Sequence, residues 1–122
     1  MRHNRLLAIA SAIASTMATA MPAASDGLHC LGRDPRFILA IDGDTARLDY
    51  LGDGVFDLDP ALTLPEVGTT RLTLSTYGGP LPVFVERRGC LAFGAVLDFT
   101  VEIGVQTSQG MQPMIGCCVE AR

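Results

Sequence analysis

Four cysteines, a short series of methionines and a dense run of aspartates are the residues of this sequence with the capacity for chemistry. Cys117 and Cys118 are adjacent, and Met111 and Met114 precede them closely. Thiolate and thioether sulfur together form the donor set that soft Cu(I) prefers, so this stretch admits a thiol or copper-handling role. Thiol exchange by vicinal cysteines would need a thiolate of lowered pKa. Gly116 and Val119, the neighbours here, supply neither a positive charge nor a helix start. A strand would also put Met111 and Met114 on opposite faces, and Pro113 between them opposes a helix.

The aspartates Asp42, Asp44, Asp49, Asp53, Asp57 and Asp59 crowd one short stretch. A calcium loop opening at Asp49 would place Leu51 and Pro60 where ligands belong, so the EF-hand pattern fails. Two readings remain. Aspartate caps turns by accepting from nearby amides, and an acidic face attracts a basic partner, such as a lysozyme, through its field. The Ser-Gly-x-x-Tyr insertion motif of C-type lysozyme inhibitors is absent. Catalytic constellations find little support. Beyond the leader, His29 is the one histidine, and Ser25, Ser75 and Ser108 lie in no Gly-x-Ser-x-Gly turn. No glycine motif long enough to cradle a phosphate appears, and no cofactor is expected.

The elements that must position these residues begin after a leader. Arg2 and Arg5 followed by the apolar run Leu6–Ala14 and the small residues Ala18-Thr19-Ala20 read as a secretory signal peptide. Residues 1–24 are assigned to it, with cleavage after Ala20 or Ala24. The apolar run is too short to span a bilayer, and the residues before Cys30 form no lipobox. Residues 25–122 are left as one domain. Losing residues 1–24 removes two of nine arginines and none of 13 acids, so the net charge falls from −4 to −6. That balance excludes a nucleic-acid binder working through a basic surface. An exported protein of the periplasm or the secreted medium is expected, monomeric and without a membrane span, with some envelope protein as a conceivable partner.

Period-two alternation bounded by Gly or Pro recurs along residues 25–122. Phe37–Ile41 is nearly all apolar and reads as a buried strand. Asp42-Gly43-Asp44 reads as a turn, after which Ala46, Leu48 and Tyr50 face inward. Gly52-Asp53-Gly54 ends that strand, and Asp59 to Gly68 reads as a long connection. Leu72 with Leu74, then Leu81 with Val83 and Val85, form two more inward faces, and Pro82 points to an edge or a strand start. Ala95 to Val105 reads as the longest strand, with Asp98, Thr100 and Glu102 outward. A hairpin at Thr107–Gly110 returns the chain as Met111–Glu120. About seven short antiparallel strands indicate an all-β sandwich or small barrel.

Export implies an oxidising compartment, where an even set of cysteines reads as a disulfide framework. A bridge between neighbours Cys117 and Cys118 would need a strained ring. In a strand they point to opposite faces, so each can reach a different partner. The pairing adopted is Cys90–Cys117 with Cys30–Cys118.

Two segments, Cys30–Ile41 and the stretch from Cys90 through Asp98-Phe99-Thr100-Val101 to Gly110, Gly116 and Cys117, resemble an uncharacterised family of small exported proteins and lipoproteins of Gram-negative bacteria. That family opens with a Gly-x-Glu-Pro-Phe-Trp-type segment and closes with a Cys, a long strand and a Gly-Cys. Here Asp34-Pro35-Arg36-Phe37 stands in the first motif, and Leu91-Ala92-Phe93-Gly94 replaces the Asp-Gly-Met-Ser that follows the first Cys. The resemblance implies a β-rich envelope protein and supports Cys90–Cys117. It brings no catalytic residue. Some members are joined to lysozyme-inhibitor-like domains, which points toward envelope defence. The function expected is therefore non-enzymatic binding or envelope support, with copper or thiol handling and inhibition of a basic hydrolase as alternatives.

Overall fold

A computed structural model describes residues 26–121; the leader assigned to residues 1–24 lies outside them. The chain is all-β, in ten strands: β1 (Gly27–Arg33), β2 (Arg36–Asp42), β3 (Thr45–Asp49), β4 (Asp53–Asp59), β5 (Thr69–Thr76), β6 (Gly79–Glu86), β7 (Cys90–Ala92), β8 (Ala95–Leu97), β9 (Phe99–Thr107) and β10 (Gly110–Ala121). Eight of them close an antiparallel barrel in which each strand pairs with the next along the chain. The exception is β7–β8, a separate hairpin outside the wall, so β6 pairs with β9. The last strand returns to the first, with Gly27 opposite Ala121 and Gly32 opposite Gly116. The expectation of a sandwich or small barrel thus resolves as a barrel of eight strands.

Alternation makes the barrel. Leu28 and Cys30, Phe37, Leu39 and Ile41, Ala46 and Leu48, Leu72 and Leu74, Val83 and Val85, and Val101 and Ile103 all point inward and are buried. An eight-stranded barrel is just wide enough for such side chains to fill. One inward contact needs glycine. The ring of Phe37 lies over β1 and β10, where a Cβ on Gly32 or Gly116 would come within 2.0 and 2.8 Å of it.

Several boundaries differ from the sequence reading. Residues 95–105 are not one strand, because a bend at Asp98 separates the outer hairpin from the wall, and the longest strand is β10. The bridge Cys90–Cys117 holds that hairpin against β10. Thr100 is buried, not solvated, and its hydroxyl donates to the carbonyl of Arg88 at 3.1 Å. Phe37–Ile41 buries one face only. Ile38 and Ala40 look outward into a shallow apolar groove shared with Leu31, Leu97 and Val119. Asp53 and Gly54 belong to β4 rather than to a turn. Pro82 lies within β6, just before the ladder to β9 begins at Val83, where no amide donor is demanded.

The two ends of the barrel differ. At one end the connection 60–68 folds inward as a floor. Leu62 is buried in the core. Its amide donates to the carbonyl of Gly43 at 2.8 Å, and the amide of Leu64 donates to Asp26 Oδ2 at 2.8 Å. Arg87 Nε donates to the carbonyl of Pro65 at 2.7 Å, and its guanidinium stacks over Phe99 at 4.5 Å. At the other end the turns 34–35, 50–52, 77–78 and 108–109 surround an opening.

Candidate functional site

That opening holds a cavity of about 390 Å³, within the range of small-molecule sites. Its walls come from five strands: Leu48 of β3, Phe56 of β4, Thr76 of β5, Leu81 of β6 and Val105 of β9. Among the described residues none of the lining comes from β1, β2 or β10, the strands on which Phe37 packs over its two glycines. Gly54 leaves the space that the Phe56 ring takes; a Cβ there would lie 2.6 Å from that ring. Tyr77 meets Phe56 edge-on, with ring centroids 5.1 Å apart and planes at 79°, the arrangement aromatic quadrupoles favour.

The rim is apolar where loops are ordinarily polar. Leu51 is 92% exposed and Tyr77 is 93% exposed. Leu51 also takes φ = 53°, in the left-handed region that ordinary L side chains avoid. A bulky, exposed, conformationally strained residue at a loop tip serves no packing purpose, and such strain concentrates at sites that bind. Tyr50, Thr76 and Gln106 supply the polar atoms of the lining, together with Asp53. The hydroxyl of Thr76 donates to the carbonyl of Gly79 at 2.7 Å, and Asp53 is held by Arg47 at 2.8 Å.

The residues singled out from sequence are distributed as follows. Cys30 bridges Cys118, and Cys90 bridges Cys117. Cys30 and Cys118 lie inside the barrel across the β1–β10 seam, and Cys117 points outward. Met114 is buried inside and Met111 is exposed, so the four sulfurs of residues 111, 114, 117 and 118 are not brought together. The six aspartates are all exposed, yet they divide between the two ends. Asp42, Asp44, Asp57 and Asp59 cluster at the floor, because Thr45 at the β2–β3 turn pairs with Asp57. Asp49 and Asp53 face each other at the mouth, about 13 Å up the wall at some 3.3 Å per residue. His29 is exposed on β1.

The mouth itself escaped the sequence reading. Leu51 and Tyr77 stood at the ends of segments read as strands, 45–51 and 69–77, whereas the strands stop at Asp49 and Thr76 and leave both residues in turns. The remaining signal was their size, since turns at such places favour Gly, Asn or Asp. The chain matches no protein-family model, no curated protein and no solved structure.

Proposed function

We propose that this is a non-catalytic binding protein of an extracytoplasmic compartment, the periplasm or the secreted medium, that engages its ligand at the open end of the barrel. The observation carrying this reading is the asymmetry of the two ends: a floor sealed by Leu62 and a mouth left hollow, with Leu51 and Tyr77 presented to solvent. Two disulfides support an oxidising compartment, and the export signal read in residues 1–24 agrees. The resemblance to small exported proteins of Gram-negative bacteria favours the envelope. The test is nuclear magnetic resonance of the oxidised protein titrated with a fragment collection. Shifts concentrated at residues 48–56, 76–81 and 105–106 are expected, and shifts spread over the outer wall would overturn the assignment.

A second reading has its own observation. Asp42, Asp44, Asp57 and Asp59 stay exposed together at the floor end, a surface suited to a basic protein such as a lysozyme. Inhibition of such a hydrolase that fades between 50 and 300 mM salt, on the order of the change in screening length from about 14 to about 6 Å, would support it. Undiminished hydrolase activity at low salt would remove it.

A further inference from the structure

We infer that the mouth selects a compact, uncharged, ring-bearing molecule; this deepens the binding reading above and depends on it. Shape comes first. The cavity lies against β3, β4, β5, β6 and β9 and their turns, with packed core side chains beneath it, so an extended acyl chain finds no tunnel to follow. Its side walls carry three aromatic rings, of Tyr50, Phe56 and Tyr77, and the Phe56–Tyr77 pair is already edge-on. A planar ring entering beside them continues the same offset or edge-to-face packing.

Charge decides the rest. Among the described residues no Lys, Arg or His lines the cavity, so a buried anion would lack a counter-charge. Among the described residues its one acid is Asp53, which is already paired with Arg47 at 2.8 Å, and this lessens its draw on a cation. The tyrosine hydroxyls and the Gln106 amide are dipoles suited to a hydroxyl or amide on the ligand.

The composition provides a reporter. The chain has no Trp, and its two tyrosines are Tyr50 and Tyr77. Intrinsic fluorescence therefore reports on the mouth alone. The experiment titrates the oxidised protein with 2-naphthol, 2-naphthoate, 2-naphthylmethylammonium and 1-decanol at pH 7, reading tyrosine emission and calorimetric heat. Expected is quenching by 2-naphthol with Kd on the order of 0.1 mM. The anionic and cationic analogues are expected to bind roughly tenfold or more weakly. In Leu51→Asp and Tyr77→Ala, whose side chains are exposed, the melting temperature should hold while affinity for 2-naphthol falls roughly fivefold.

Equal or tighter binding of either charged analogue, with quenching, overturns the uncharged class and leaves the mouth reading standing. Preference for 1-decanol overturns the ring. Binding of 2-naphthol that neither quenches tyrosine nor weakens in the two variants places the ligand elsewhere, and both readings fall. Absence of binding by all four compounds overturns this inference, whereas the fragment titration above still decides the mouth.

Discussion

Phe37 is where residue chemistry fixes how β1, β2 and β10 pack together. Its ring occupies the space that side chains at Gly32 and Gly116 would need, and at Gly116 an added Cβ would also meet the carbonyl oxygen of Leu31 at 2.8 Å. Backbone cannot swing aside as a side-chain end can. Gly116→Ala is therefore expected to cost about 1–3 kcal/mol of stability, the range for overpacked cores, read as a lowered urea midpoint. At Gly32 the three nearest atoms to an added Cβ all belong to the Phe37 ring, so combining Gly32→Ala with Phe37→Leu should cost less than the two single changes added together; strict additivity would deny the contact. Leu51 makes the opposite case. Its φ of 53° favours glycine, so Leu51→Gly is expected to hold or raise stability, by up to about 1 kcal/mol in thermal unfolding. A clear loss would show that the side chain packs on something that matters to the fold. These roles were unevenly legible. The inward positions of Ala46, Leu48, Leu72 and Val83 follow from alternation, because one strand step reverses the face. The Phe37–glycine contact joins three strands and leaves no mark in any one of them.

Among the elements, the connection 60–68 departs furthest from what its sequence promised. It reads as a passive link, yet its Leu62 closes one end of the barrel and its backbone is tied to Gly43, Asp26 and Arg87. Leu62→Ala is expected to cost about 2–4 kcal/mol, as for other large-to-small changes in a core. Asp26→Ala should cost about 1–3 kcal/mol by leaving the Leu64 amide without its carboxylate acceptor. Both are measurable by chemical denaturation, and exposed-site values near zero would mean the floor is not part of the cooperative unit. The hairpin β7–β8 shows why residues 95–105 misled. Alternation runs through Asp98 without interruption, while the hairpin beyond the bend is tied by a bridge to Cys117, 27 residues past Cys90. Local pattern carries no information about that constraint. β5 and β10 were read to within one residue at each end, whereas β1 was not read as a strand.

For the molecule as a whole, closure depends on joining its first strand to its last. Cys30–Cys118 spans 88 residues and rivets that seam, whereas Cys90–Cys117 spans 27 and secures only the outer hairpin. Chain-entropy arguments assign about 4.5 kcal/mol to the longer loop and about 3.5 kcal/mol to the shorter. Replacing Cys30 and Cys118 by Ala is expected to lower the urea midpoint more than replacing Cys90 and Cys117 by Ala. The reverse order would show that the hairpin, not the seam, limits unfolding. Because Gly27 stands opposite Ala121, the described chain enters and leaves the wall side by side, at the sealed end. The molecule thus has a handle and a bowl. Whatever grips the chain beside Gly27 or Ala121, whether a resin, a fused protein or a sensor chip, holds the handle and turns the bowl toward solution. A partner that binds the free protein but is lost on tethering would be one that sits on the acidic floor, and a small molecule seated beside Tyr50 and Tyr77 would not notice the tether.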